Sequence, residues 1–337
     1  MLKELSELNG VSGDESRVRS YLTSKIARHA AHFMEDAYGN LIVRIGKEKK
    51  PRVMLAAHMD EVGLMITGIE KNGLLRFYAI GIMPNVLMAK RVLIGKDNNL
   101  GVIGHKPIHL AKGDDLKKIP KTKSLFIDIG VSSKEAAGKI VQVGDYATFD
   151  TKYREHGDII QGKAFDNRIG CAMLLQLIQD SDLPVYCVFT VQEEVGLRGA
   201  RIAAHRLKPD VAIAIDTTSS GEWPEERDVP QYPVIGSGPT ITIADRSVIC
   251  DEKVVRVLRE TAERESISYQ VKRPMIGGTD AGTMHLVEAG VRAGVVSIAA
   301  RYIHSPLAFA SKKDISATIK LVSCSIENIM RKEKQWV

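Results

Sequence analysis

RVMLAAH (52–58), VYCVFTVQEE (185–194), VAIAID (211–216) and VVSIAARYIH (295–304) are the short apolar runs that decide the fold. Each is rich in Val, Ile or Ala and too short for an ordinary helix, as expected of strands buried on both faces of a sheet. Helical patterns alternate with them. Residues 168–179, following Asp166, are nearly all apolar, and 251–264 carry Val254, Val255, Leu258 and Ala262 behind an Asp251 cap. A last helix places Ile315, Ile319, Val322, Ile326 and Met330 on one stripe. Near the start, Ser12 and Glu15 have capping-box spacing ahead of Val18, Leu22 and Ile26. Strand–helix alternation predicts an α/β sheet with helices on both faces.

Residues from about 64 to 160 read differently. LLRFYAIG, KRVLIGK, NLGVIGH, SLFIDIGV and DYATFD are short β-like runs, separated by turn signals such as Lys71-Asn72-Gly73 and Asp97-Asn98-Asn99. Only Ser132–Gly138 reads as helix in this stretch. The simplest partition is a β-rich module, 64–160, inserted into a discontinuous catalytic domain formed by 1–63 and 161–337.

Composition narrows the function. With 337 residues, 44% hydrophobic and 26% charged, the chain can bury a large core and is neither disordered nor collagen-like. The net charge of +6 raises the question of nucleic acid, but 47 basic and 41 acidic residues are interspersed. The densest cationic clusters (Lys47, Lys49, Lys50; Lys117, Lys118, Lys121, Lys123) are short and lack interleaved aromatics, so a solvated surface is expected and no nucleic-acid partner. No apolar run reaches the ~18–20 residues that span a bilayer, and MLKELSELNGVSGDES has no apolar signal region, so no membrane partner is expected. Cys171, Cys187, Cys250 and Cys324 lie far apart without a C-x-x-C pair, which suits a reduced cytoplasmic setting.

In an open α/β sheet, ligands sit beyond the carboxyl ends of the strands. All four runs end in side chains able to hold a metal: His58 with Asp60 two residues on, Glu193 and Glu194, Asp216, and His304. Asp166 opens the helix after the β-rich module. Taken singly, each has an ordinary explanation: a hydrogen-bonded histidine, a helix N-cap at Asp166, a solvated Glu pair, a turn cap at Asp60. Recurrence at every strand end argues against that. Imidazoles and carboxylates without thiolate suit zinc, cobalt or manganese better than calcium or magnesium.

AAHMDEVG, GKAFDNRIGCA, VQEEVGLRGA, AIAIDTT, IGGTDAG and ARYIHSP, in this order, resemble the tetrahedral (TET), glutamyl and deblocking aminopeptidases, dinuclear metallopeptidases of which some were formerly labelled endoglucanases. The resemblance covers essentially the whole chain. It implies a zinc-peptidase-like α/β/α sandwich with an inserted, small β-barrel-like domain. It also implies a cytoplasmic aminopeptidase that removes N-terminal residues from short peptides with a dinuclear-metal-activated hydroxide.

Carried over by residue, His58 and Asp216 would bind one ion, Glu194 and His304 the other, and Asp166 would bridge them. Asp60 would hold the second nitrogen of His58, and Glu193 would be the general base. The strand end must then bend after Gln192 so that Glu194 turns inward, with Gly196 available to permit it. Gly278, Thr279 and Asp280 would form a wall of the substrate pocket; the plainer reading is a tight turn in which Thr279 or Asp280 caps a helix toward Leu286. The inserted module, expected to stand apart from the metal site, would dimerise the chain, and dimers would build a hollow dodecamer. Two other classes are weighed against this. A glycoside hydrolase working through paired carboxylates leaves His58 and His304 unexplained, and 5% aromatics offer little for sugar stacking. A non-catalytic assembly protein on a peptidase fold has no need of an intact Glu193.

Overall fold

Short β-branched and Ala-rich stretches become strands, and helices alternate with them. The computed structural model of the chain describes residues 1–29, 32–110, 113, 119–222, 232–272 and 275–336. Lys117 and Lys118 of the second cationic cluster, and residues 223–226 after Glu222, lie outside these. The chain begins with helices α1 (Leu2–Glu7) and α2 (Ser16–Ile26), then strands β1 (His32–Glu35), β2 (Leu41–Arg44) and β3 (Val53–His58).

The next stretch folds separately. Strands β4 (Gly63–Ile69), β5 (Leu75–Ile80), β6 (Arg91–Ile94), β7 (Asn99–Gly104), β8 (Phe126–Asp128) and β9 (Tyr146–Phe149) close a barrel in the order β4-β5-β8-β7-β6-β9. Helix α3 (Lys134–Gly138) is capped by Ser133, whose hydroxyl accepts from the Ala136 amide. Both turn signals hold left-handed residues, Gly73 at φ +85° and Asn98 at φ +55°. Closure removes the exposed sheet edges, and the interior is filled by Leu64, Ile66, Leu75, Val92, Ile94 and Ile127, all fully buried.

The remainder completes the main layer. It comprises β10 (Arg154–His156), β11 (Ile159–Gly162), α4 (Phe165–Asp180), β12 (Val185–Thr190), α5 (Arg198–Leu207) and β13 (Val211–Ser219). Then come β14 (Thr240–Thr242), α6 (Glu252–Arg264), β15 (Gln270–Lys272), α7 (Ala281–Met284), β16 (Arg292–Ala300), β17 (Ala308–Ser311) and α8 (Lys312–Arg331). Among the described residues an eight-stranded sheet runs β1-β2-β12-β3-β13-β16-β14-β15, with β12, β3, β13 and β16 parallel. Helices α2, α4, α6 and α8 cover one face, while α5 and α7 cover the other. This is an α/β/α sandwich carrying a small β-barrel. Among the described residues no helix is long and apolar enough to cross a membrane.

Helix α4 is the central support. Ile169, Cys171, Leu174 and Leu175 are fully buried between the sheet and the neighbouring helices. Truncating one such leucine to Ala costs about 2–5 kcal/mol. The Asp251 cap holds, with its carboxylate accepting from the Lys253 and Val254 amides.

Two local expectations need correcting. Ser12 and Glu15 form no capping box: α2 begins at Ser16 with no side-chain cap, because both side chains are engaged elsewhere. Asp280 occupies the N-cap of α7 without capping it, since its carboxylate accepts from Thr190.

Candidate metal centre

The parallel strands all point their carboxyl ends the same way, and the predicted side chains gather there. His58 is the last residue of β3, paired with Thr190 at the end of β12. Asp216 comes from within β13 rather than from its end, and His304 from the turn after β16. Asp166 sits in the irregular first turn of α4. It does not serve as an N-cap. Its neighbour Asn167 takes that place, accepting from the Gly170 amide at 3.1 Å and donating to the Ile215 carbonyl at 2.8 Å.

Glu193 and Glu194 follow a sharp reversal. Gln192 adopts φ +56°, a left-handed conformation that a side chain tolerates only when its surroundings hold it. Here its amide donates to Glu15 Oε1 at 3.1 Å, and its side-chain oxygen accepts from Tyr38 and Arg198. The bend predicted after Gln192 is therefore made at Gln192 itself, with Gly196 at φ +120° one turn on.

Two clusters result. His58, Glu193 and Asp216 offer ligand atoms all within 4.8 Å of one another, and so do Asp166, Glu194 and His304. Asp166 lies between them: its Oδ1 is 3.1 Å from His58 Nε2 and its Oδ2 is 3.5 Å from His304 Nε2. Asp216 Oδ1 stands 3.7 Å from His58 Nε2, and Glu194 Oε2 3.5 Å from His304 Nε2. Glu193 Oε2 is farther out, at 4.0 Å from His58.

Both histidines present Nε2 because Nδ1 is engaged. His304 Nδ1 donates to the Gly81 carbonyl at 2.7 Å, and His58 Nδ1 to the Asp60 carbonyl at 3.2 Å. The Asp60 carboxylate lies beside that nitrogen at 3.5 Å but makes its own closer bonds to three other groups. Ser12 Oγ donates to it at 2.6 Å, the Glu193 amide at 3.0 Å and the Glu194 amide at 3.1 Å. One buried carboxylate thus pins the backbone of both glutamates.

The electrostatics are those of anions crowded away from water. Burial pushes Glu193 well above the usual carboxylate range and Glu194 up to about 8. Asp216 is also raised by burial. For Asp166 burial acts upward too, but hydrogen bonds from His304 and His58 outweigh it and hold the carboxyl low. His304 is raised to about 10, chiefly by Asp166. His58 is raised against its own desolvation by Glu193, Asp166 and Asp216. Glu194 Oε1 is buried with no hydrogen-bond partner. Two imidazole nitrogens, several convergent carboxylates and an orphaned carboxylate oxygen fit divalent cations of nitrogen and oxygen preference.

A cavity of about 280 Å³ opens over the centre, lined also by Thr217, Thr218, Lys272, Ile276, Gly278 and Thr279. Gly278 and Thr279 therefore flank the site. Asp280, expected on the same wall, is set back beneath it at 3% exposure, bound by Thr190 Oγ1 at 2.6 Å. Burial pushes its carboxyl up to about 7.

Several supports are not legible in the sequence, where the spacing of Ser12 and Glu15 suggests no role beyond capping and the β-barrel is expected to stand apart from the site. The Gly81 carbonyl at the end of β5 contradicts that separation. Arg168 and Lys163, from the GKAFDNRIGCA segment, are buried and both bind Glu61. Arg168 also donates to the Met59, Leu5 and Leu8 carbonyls, tying the N-terminal segment under the His58 turn. A charge inside an apolar helix pattern was the available signal.

The M42 glutamyl aminopeptidase family model matches residues 39–321. The chain belongs to this family. It is accordingly an aminopeptidase, a hydrolase acting on peptide bonds. Among its relatives, a lysyl aminopeptidase of Pyrococcus furiosus is 33% identical, over 98% of this chain and 96% of its own. An aminopeptidase from the archaeon Desulfurococcus kamchatkensis is 38% identical, with a TM-score of 0.91 over 97% of this chain and 93% of that one. The Pyrococcus horikoshii TET1 peptidase, which can assemble into a tetrahedron or a large octahedral shell, is 34% identical. Its TM-score is 0.85, over 96% of this chain and 97% of its own.

Proposed function

We propose that this M42 enzyme releases N-terminal residues from short peptides using two divalent metal ions, zinc or cobalt foremost and manganese as a further option. His58 and Asp216 would hold one ion, Glu194 and His304 the other, with Asp166 shared. The observation that carries this reading is Asp166, whose two carboxylate oxygens face one histidine each. When bound, such a pair polarises the scissile carbonyl and acidifies water.

The chain's own residues supply the rest. Glu193 lies at the cavity with its Oε2 4.0 Å from His58 Nε2, farther out than the other carboxylates, a place from which it can accept a proton and then surrender it. It takes a proton from the attacking water and passes it to the leaving amine. Asp60 positions Glu193 and Glu194 together by accepting both of their amides. It also borders His58 Nδ1, which leaves Nε2 facing the cluster. Gly278 and Thr279 border the space where the peptide would lie.

The barrel would carry assembly. Tyr78, Leu100 and Val102, on β5 and β7, are large apolar side chains at 60, 65 and 45% exposure. They support dimerisation through residues 64–160, and the shells formed by the TET1 relative support a dodecamer built from such dimers. A cytoplasmic location suits a hydrolase enclosed in this way.

Hydrolysis of aminoacyl anilides, measured with and without a chelator, tests the proposal. Activity should vanish on chelation, return with zinc, cobalt or manganese, and be absent toward N-acetylated substrates. Undiminished turnover by protein free of transition metal refutes it.

A further inference from the structure

Ser12 and Glu15 stand on the segment that enters α2, and neither side chain serves that helix. Both are buried. A capping box would satisfy amides of the first turn and stabilise α2, and the chain forgoes it. The two polar groups instead reach residues 48 and 177 positions away. Ser12 Oγ donates to Asp60 Oδ2 at 2.6 Å, while Glu15 Oε1 accepts from the Gln192 amide at 3.1 Å and from the Gly13 amide at 2.9 Å.

Both targets bear on one short stretch of backbone. The successive amides of Gln192, Glu193 and Glu194 donate to only two carboxylates, the first to Glu15 and the others to Asp60. Buried amides must find acceptors, so these bonds dictate the path of the chain through the reversal. Beyond it the turn closes on itself, with the Gly196 and Leu197 amides both donating to the Glu193 carbonyl. The direction in which Glu193 leaves the strand is therefore set at its entry.

The segment that carries Ser12 and Glu15 is itself held on two sides. Val11 pairs with Glu61, whose amide donates to the Gly10 carbonyl at 3.0 Å, and Arg168 donates to the same carbonyl at 3.3 Å. On the barrel side Gly13 stands at φ +96°, where a Cβ would lie 2.6 Å from Tyr146 Oη. The partners of the Glu15 carboxylate are amides rather than cations, so it supplies an acceptor and not a charge.

We propose that Ser12 and Glu15 are positioning residues for the reaction, which hold the Asp60 carboxylate and the reversal at Gln192 and so fix the reach of Glu193 into the cavity. The inference rests on the reading in which Glu193 is the general base. Neither residue touches substrate or metal; each acts through a bond to a group that orients Glu193.

The test compares Ser12→Ala, Ser12→Thr, Glu15→Ala and Glu15→Gln with wild type and with Arg17→Gln, which breaks a bond from the same segment to Asn98 in the barrel. In the metal-loaded protein each Ala variant should lose about 10–100-fold in kcat toward a leucyl anilide, with KM within a few-fold and metal content unchanged. Ser12→Thr keeps the hydroxyl and Glu15→Gln keeps the acceptor, so both should return to near wild-type turnover. Arg17→Gln should not leave it. In the metal-free protein, amide hydrogen exchange should quicken at Gln192, Glu193 and Glu194 in the Ala variants, while β12 keeps its protection. A merely structural role predicts the opposite pattern, a lower melting temperature with wild-type kcat in the folded protein, and that result overturns the assignment. So does unchanged exchange at the three amides, or a loss of kcat that excess metal restores. If one Ala variant fails to fold, the other decides. These outcomes leave the aminopeptidase reading standing, whereas a wild type that hydrolyses no anilide defeats that reading and this inference with it.

Discussion

The Nδ1–H of His304 donates to the carbonyl of Gly81 at 2.7 Å, so a residue at the rim of the β-barrel orients a histidine from the far end of the chain. Gly81 is held at φ +67°, and a Cβ placed there would lie 2.7 Å from Val62 Cγ1 and 2.9 Å from Glu194 Oε2. Gly81→Ala should therefore disturb His304 and Glu194 together. We expect metal affinity to fall by about 10–100-fold, as for loss of a group that supports a ligand. Titration of the apo protein with zinc reads this out, and unchanged affinity would show that the contact is incidental.

Glu193 and Asp166 should separate by phenotype. Glu193→Gln is expected to keep both metals while kcat drops by a factor of roughly 10² or more. Asp166→Ala should lose metal, because its two oxygens face both clusters. Elemental analysis alongside kinetics distinguishes them. Metal loss in Glu193→Gln would make Glu193 a ligand beside His58 and Asp216, the grouping its distances also permit.

Breaking the buried charge cluster should weaken the fold rather than the chemistry. Lys163 Nζ lies 2.7 Å from Glu61 Oε1, with Arg168 on the same carboxylate at 3.2 Å. Lys163→Met leaves Glu61 partly uncompensated and should cost about 3–5 kcal/mol. Replacing both Lys163 by Met and Glu61 by Gln should recover part of this. Thermal melts of the two variants, compared at one protein concentration, decide it.

Thiol chemistry offers a check on burial. Cys171 and Cys250 are pushed up to about 12 by desolvation, and Cys187 is raised by the same cause. At pH 8 a thiol of pKa 12 is only ~10⁻⁴ ionised, and the thiolate is the reactive form. Only Cys324, which is half-buried, should therefore react promptly with an aromatic disulfide, and the other three on unfolding. Two or more fast thiols in the native protein would contradict the packing.

Assembly is open to a point change. Leu100→Glu with Val102→Glu puts charge on the exposed barrel face without touching the centre. Light scattering should show a smaller species than wild type. A mass unchanged by the pair of substitutions would place the dimer contact elsewhere.

The residue types of the candidate site were legible because the apolar runs repeat them: a histidine or carboxylate closing an apolar run is a local pattern, even where the strand itself ends before or after it. The inserted β-rich stretch was legible for the same reason, through turn signals at Gly73 and Asn98. What sequence could not supply is contact across distance. Ser12 looked like a cap because Glu15 follows at the right spacing. In the fold Ser12 donates to Asp60, and Glu15 fixes Gln192, 177 positions away. The family resemblance of its loop puts Asp280 on the pocket wall, but Thr190 holds it below the floor.

The order in which the centre's parts occur along the chain has a consequence for synthesis. His58, Asp166, Glu193, Glu194 and Asp216 are translated before β16, the strand that neighbours β13 and leads to His304. Until that strand emerges and inserts, the second cluster lacks its imidazole, and the Gly81 carbonyl has nothing to orient. If the proposed centre is the catalytic one, a nascent chain of this enzyme is latent: the hydrolase would acquire its complete centre only in the last stage of its own making, when sheet, barrel and C-terminal helix can close together.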